Sequence, residues 1–139
     1  MPESSSCDVA VIGAGIGGYV AAIRASQLGM KAAVIEGGKV GGTCVNNGCI
    51  PTVALLTCTS LLEKIKRSED YGINVKDVSV NYEKVMMRKE AVVNRLADGV
   101  KYLLRKNDVR LVEGWGAIES RSQVDVETID GKKERIEAE

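Results

Sequence analysis

Histidine is absent from this chain, and aromatic residues make up only 4% of it. Without an imidazole, the segment cannot supply its own histidine base, and it lacks the commonest metal ligand. Net charge is missing too, because 19 lysines and arginines balance 19 acids. Charges so evenly scattered leave no basic stripe, so no nucleic-acid partner is expected. No apolar run approaches the ~20 residues that cross a bilayer, and Met1 to Cys7 is polar rather than basic and then apolar. Neither a membrane span nor a secretory leader is expected, and the expected location is the cytoplasm. Four cysteines in a reducing compartment should be free, metal-bound or redox-active.

What is present is a grammar of short apolar runs and glycines, in a length sufficient for one hydrophobic core. Asp8 to Ile12 has the β-branched, apolar character of a buried parallel strand. Gly13 to Gly18 follows, then helix formers from Tyr19 to Leu28 with Gly29 as terminator, then a second apolar run, Ala32 to Ile35, closed by Glu36. Strand, glycine turn, helix and strand make a βαβ unit. Gly37 to Pro51 should be a shaped loop, Val53 to Glu69 a helix, and Tyr71 to Val80 irregular. A longer helix is expected from about Tyr82 to Lys106, with a possible kink at Gly99, and a third parallel strand at Val109 to Val112. Short alternating pieces follow, Gly116 to Glu119, Gln123 to Glu127 and Lys133 to Glu137, with Asp130-Gly131 as a hairpin turn.

Gly13, Gly15 and Gly18 form G-x-G-x-x-G, a weak motif alone and a stronger one between a strand and a helix. The first glycine permits the tight turn, the second lets backbone N–H groups approach a pyrophosphate, and the third lets helix and strand close together. Glu36, ending the second strand, stands where a carboxylate accepts hydrogen bonds from an adenosine ribose. These residues do not separate FAD from NAD, which share the ADP half.

Cys44 and Cys49 lie in Gly41-Gly42-Thr43-Cys44-Val45-Asn46-Asn47-Gly48-Cys49-Ile50-Pro51. On one regular helix they would stand roughly 7.5 Å apart along the axis, too far for a bridge, so bonding requires a distorted turn. Asn46, Asn47 and Gly48 tolerate irregular backbone, and Pro51 disfavours helical geometry at Ile50. An easily reduced redox bridge, a structural disulfide, a zinc site and buried free thiols all remain open here. Zinc is disfavoured by the absence of C-x-x-C and of histidine, so no metal is expected, and Cys7 and Cys58 fit buried free thiols.

Val11-Ile12-Gly13-Ala14-Gly15-Ile16-Gly17-Gly18, Ile35-Glu36, and Gly41-Gly42-Thr43-Cys44 through Cys49-Ile50-Pro51 together resemble the pyridine nucleotide-disulfide oxidoreductases. This family includes dihydrolipoamide dehydrogenase, glutathione reductase and mercuric reductase, and the resemblance covers nearly the whole chain. Asp130-Gly131-Lys132 through Ala138 resembles the sheet edge that, in the family, precedes a strand carrying an Ala-Thr-Gly turn. The implied fold is α/β, an incomplete FAD/NAD(P)-binding Rossmann-like domain of three layers, with a parallel sheet and a small antiparallel sheet.

The resemblance implies tightly bound FAD, with Gly13, Gly15 and Gly18 at the pyrophosphate and Glu36 at the ribose. Gly37, Gly42 and Thr43 would line the dinucleotide, and Gly116 would meet the adenine end. It implies a redox disulfide, Cys49 being the thiol beside the flavin and Cys44 the outer thiol that exchanges with substrate. NAD would accept the electrons in the complete enzyme. Ile50-Pro51, a small hydroxyl residue and Ala54-Leu55-Leu56 look most like the lipoamide branch. Dihydrolipoamide, or the lipoyl domain of a 2-oxo acid dehydrogenase complex, is the implied partner, within a homodimer. Glutathione or mercuric reductase chemistry, a noncatalytic nucleotide-binding module and a zinc-binding domain are the rivals.

Two departures stand out. The family usually has Pro-Ser-Lys where this chain has Pro51-Thr52-Val53. Family members also continue into NAD-binding and dimer-interface domains, the latter carrying a catalytic histidine and glutamate. The 139 residues are therefore expected to be a truncated FAD-binding segment, without NAD binding or turnover and holding FAD poorly.

Overall fold

The computed structural model describes residues 3–139. In chain order the elements are β1 (Glu3–Cys7), β2 (Val9–Ile12), α1 (Ile16–Gln27), β3 (Ala32–Glu36), α2 (Gly42–Asn46), α3 (Cys49–Lys66), a 3-10 turn (Ser68–Tyr71), α4 (Tyr82–Lys106), β4 (Arg110–Ser120), β5 (Gln123–Thr128) and β6 (Lys133–Ala138). The expected βαβ unit is there as β2, α1 and β3. In β3, Ala32, Ala33, Val34 and Ile35 are all buried, as a strand covered on both faces must be. Gly29 ends α1 at φ +90°, with its N–H donating to Ser26 O at 2.9 Å. At the other end of the chain's longest helix, Asn81 caps α4 by accepting from Lys84 N at 2.9 Å. Gly99 leaves α4 continuous from Tyr82 to Lys106.

Strand order is β1-β6-β5-β4-β3-β2. β2, β3 and β4 pair in parallel; β4, β5 and β6 pair antiparallel; β1 joins β6 in parallel. Only Asp8 separates β1 from β2, so the two ends of this order are brought together and the sheet folds over on itself. Two apolar clusters fill the resulting layers. Ala14, Ala22, Val34, Val100 and Leu104 pack between the helices and the parallel strands. Ala33, Ile35, Val112, Val124, Val126 and Ile136 pack between the parallel and antiparallel strands. This is the three-layer α/β architecture expected from the sequence.

Three boundaries differ from expectation. Residues 3–7, a polar stretch for which no element was expected, form β1; Ser5 Oγ donates to Glu134 at 3.0 Å and Arg110 donates to Ser5 at 2.5 Å. Serines have little intrinsic preference for strands, so the pairing is imposed by β6 rather than by propensity. β4 is one strand where two were expected, passing from the parallel to the antiparallel layer near Gly114, where a Cβ would approach Glu127 O to 2.6 Å. Helix α3 begins at Cys49, not Val53, and ends at Lys66. Pro51 falls in its first turn, where N–H groups lack an intrahelical partner anyway, so proline does not prevent helix there.

No uninterrupted apolar run of bilayer length occurs in the sequence, although one longer segment passes on average composition. By length and composition Gly42–Lys66 is apolar enough to cross a membrane. The segment is interrupted at Asn47 and Gly48, between α2 and α3, and Val53, Leu56 and Leu61 of α3 are exposed.

Candidate functional site

The site begins where β2 turns into α1. Gly13 takes φ +96°, a conformation that L side chains rarely adopt, and its N–H donates to Ile35 O at 2.7 Å. A Cβ on Gly18 would overlap Gly13 O outright and lie 2.9 Å from Gly13 C. Gly18 is therefore the residue that lets the first turn of α1 close on the loop. Gly15 is the N-cap of α1, no side chain caps this end, and no acid stands in its first turn. The N–H groups and the positive end of the helix dipole are left for an anion.

Glu36 ties this turn to the next loop. Its Oε2 accepts from Ala14 N at 2.7 Å and its Oε1 from Gly38 N at 2.7 Å. An ionised carboxylate offers about four acceptor positions, so roughly two remain for ligand hydroxyls.

A second loop closes over the first. Gly41 N donates to Ala14 O at 2.8 Å, and a Cβ on Gly42 would come within 2.7 Å of Gly15 Cα. Both Gly41 (φ +97°) and Gly42 (φ +61°) occupy the left-handed region. The Asn46 side chain holds the loop shut by donating to Val40 O at 3.1 Å and Gly42 O at 2.9 Å. Thr43, next to Gly42, is exposed. The cradle thus consists of bare glycine backbone, closed to a side chain at Gly18, Gly41 and Gly42, which suits the close approach of a dinucleotide pyrophosphate.

Two residues beyond Gly42, Cys44 is bonded to Cys49, with Cα atoms 4.7 Å apart. That separation is reached because α2 stops at Asn46 and α3 starts afresh at Cys49. The break lies at Asn47 and Gly48, as the loop-forming residues implied, and Thr52 Oγ1 donates back to Gly48 O at 2.7 Å. Cys44 is half-buried and Cys49 exposed. Val53, one helical turn after Cys49 and hence on the same face, is 59% exposed. Arg88 of α4 donates to Ala54 O at 3.3 Å and fastens α3 to α4.

Gly37 and Gly116 take the other end. A Cβ on Gly37 would strike the ring of Trp115, 2.6 Å from Cε2. One on Gly116 would meet Ile35 Cγ2 at 3.2 Å and Ile12 Cγ1 at 3.5 Å, the side chains that end β2 and flank Glu36. Gly13, Gly15, Gly18, Glu36, Gly42 and the cysteine pair are joined through direct contacts and short chain connections, while Gly116 stands behind Glu36 against the core. Arg88, Asn46 and Trp115 were not singled out from the sequence. Only Trp115 carried a signal there, as the single tryptophan.

Cys7 and Cys58 are free thiols. Cys7 is buried, and desolvation by burial, with the nearby Asp8 charge adding to it, raises its thiol pKa. Cys58 is only half-buried, contrary to expectation, and its Sγ lies 3.5 Å from Ala54 O. It falls on α3, whose single buried residue is Ala54, so its helix face is only partly covered.

Residues 7–139 match the family model for pyridine nucleotide-disulphide oxidoreductase. The chain belongs to this family. It is similar to dihydrolipoyl dehydrogenase of Bacillus subtilis (strain 168), 48% identical over 80% of this chain and 23% of that relative. It is similar to dihydrolipoyl dehydrogenase of Zymomonas mobilis subsp. mobilis, 43% identical over 94% of this chain and 28% of the relative. Leghemoglobin reductase of Vigna unguiculata is 47% identical over 92% of this chain and 25% of its own length. The chain thus spans about a quarter of the length of these relatives. Within a family of disulphide oxidoreductases, a bonded cysteine pair hung on a dinucleotide-shaped glycine cradle is the chemically telling feature.

Proposed function

We propose that this chain is the FAD-binding and disulfide-bearing part of a dihydrolipoyl dehydrogenase. One observation carries the reading: Gly42, packed on Gly15 with no space for a methyl group, anchors the Cys44–Cys49 bridge to the glycine turn. Backbone N–H groups of Gly15 to Gly18 would hold the diphosphate, and Glu36 would accept from the ribose hydroxyls. When bound, FAD would supply a two-electron acceptor that returns hydride to NAD in the complete enzyme.

The chain's own step is thiol–disulfide exchange. One thiolate of dihydrolipoamide attacks Cys44 Sγ; the Cys44–Cys49 bond breaks, and Cys49 leaves as a thiolate. The second substrate thiolate then attacks the substrate sulfur held in the mixed disulfide and releases Cys44. The substrate leaves as a cyclic disulfide, oxidised by two electrons, and the cysteine pair is reduced by two. Cys49 starts α3, where the positive helix end favours a thiolate. Cys49 is the more exposed of the pair, so these roles require the flavin to cover it. The proposal extends to a lipoyl domain as substrate carrier, a homodimer, and the cytoplasm as the compartment.

The test is partial reduction of the FAD-loaded full-length enzyme. A long-wavelength band that is lost in Cys49→Ser, and one reducible disulfide by thiol titration, are the expected results. Two free thiols at residues 44 and 49 in the oxidised protein would sink the proposal. A noncatalytic nucleotide-binding module is the second reading, favoured by Val53 in the place of the family's lysine; it predicts no such band.

A further inference from the structure

Asn46 lies within the ring closed by Cys44 and Cys49, yet its side chain bonds mostly to residues outside that ring. Its amide nitrogen donates to Gly42 O at 2.9 Å and Val40 O at 3.1 Å, and Lys39 O lies 3.5 Å away. A carboxamide nitrogen has two hydrogens to give, so both are committed to the loop 39–42. That loop carries Gly41, whose N–H donates to Ala14 O at 2.8 Å, and Gly42, which has no room for a Cβ against Gly15. A covalent bond, one side chain and a backbone contact thus run in series from the cysteines to the glycine turn.

Helix α2, on which Cys44 and Asn46 both stand, has little strength of its own. It has five residues, no side-chain cap and one buried side chain, Val45, and an isolated helix so short does not hold together in water. Opening the Cys44–Cys49 bond frees the backbone of 44–49 and leaves Asn46 to hold alone what it held together with the bridge. We infer that Asn46 is a positioning residue that couples the redox state of the cysteine pair to the nucleotide cradle. With the bridge closed, Asn46 keeps Gly42 seated on Gly15; with the bridge open, the loop loosens and nucleotide affinity falls. The inference rests on the nucleotide-binding part of the reading above. Such coupling is reciprocal, so a bound nucleotide must make the bridge harder to reduce by the same factor.

ADP is the probe, because it fills the nucleotide end without bringing a flavin that itself exchanges electrons with the cysteines. The chain is equilibrated in dithiothreitol buffers, where the dithiol closes to its cyclic disulfide as Cys44–Cys49 opens to two thiols, a balanced two-electron exchange. Thiols are trapped by alkylation, and those at residues 44 and 49 are counted by mass. Saturating ADP should raise the reductant ratio at half-reduction about tenfold, which corresponds to ~30 mV. Calorimetry should find ADP bound about tenfold more weakly once the pair is reduced. In Asn46→Asp, which keeps the shape and loses the donors, and in Asn46→Ala, the ADP shift should fall below about twofold while the bridge still forms.

The parent alone decides whether the coupling exists, whatever the stability of the variants. An ADP shift as large in the Asn46 variants as in the parent would refute Asn46 as the link. If the parent binds ADP and Glu36→Gln weakens it, yet ADP leaves the bridge equilibrium unmoved, the coupling is refuted and the nucleotide site stands. If the parent binds no ADP at all, both fall.

Discussion

The corner formed by Gly13–Gly18 and Gly41–Cys49 and the outer layer formed by β1, β5 and β6 are held together by opposite means. In the corner, backbone touches backbone: Gly18 on Gly13, Gly42 on Gly15, Gly41 N on Ala14 O. Nothing there depends on charge except Glu36. In the outer layer, side-chain ion pairs tie strand to strand, Arg110 with Glu134 at 2.5 Å, Arg135 with Asp125 at 2.9 Å and, in the turn, Lys132 with Asp130 at 2.8 Å. Contact sterics are steep with distance and indifferent to pH, whereas exposed ion pairs are individually weak and titrate. The difference teaches where precision resides: at the dinucleotide end Gly18 and Gly42 have no space for a methyl group, whereas the ion pairs of the supporting layer lie at exposed or half-buried side chains.

The largest effect should come from filling the corner. Gly18→Ala forces a methyl into Gly13 O, so a stability loss of about 3–5 kcal/mol and loss of FAD binding are expected. Urea unfolding with flavin fluorescence would check it, and near-parental stability would break the comparison. Gly42→Ala should cost about 1–3 kcal/mol, from strain at positive φ plus the contact with Gly15. It should also loosen FAD while leaving the Cys44–Cys49 bond reducible.

Acid should separate the two regions. The Lys132 hydrogen bond, with a smaller share from Thr128, lowers Asp130 from 3.8 to about 2, and the Arg135 hydrogen bond lowers Asp125. A carboxylate depressed on folding contributes stability above its unfolded value, and that contribution fades as pH falls through the folded one. Amide exchange in 123–138 should therefore rise between about pH 4 and pH 2, before that of 13–18. Simultaneous loss of protection in both regions would contradict this. The smallest structural effect is expected from Val53→Lys. An exposed helix position should change stability by under about 0.5 kcal/mol, yet a cation one turn from Cys49 should shift the flavin absorption of the loaded enzyme. An unchanged spectrum would remove Val53 from the reactive edge.

The inner βαβ unit was legible because its apolar runs, glycines and terminal acid follow local rules; β2, α1 and β3 lie within a few residues of where those rules put them. The break between Cys44 and Cys49 was legible too, from Asn47 and Gly48. Strand β1 was not, since a run of serines acquires strand geometry only from its partner β6. Nor was the start of α3, where proline was taken as a barrier although its place in the first turn makes it harmless. Asn46 and Arg88 escaped notice because their bonds go to the carbonyls of Val40, Gly42 and Ala54, and any carbonyl in the chain is an equal candidate until the fold chooses one.

By itself the sequence determined the glycine turn, its carboxylate and the spacing of the two cysteines, because backbone freedom, charge and chain length are local properties. Only the tertiary structure decided that Gly42 presses on Gly15 and that Trp115 lies across Gly37. Those contacts join residues far apart in the chain, and their distances exist only once the sheet has folded over on itself.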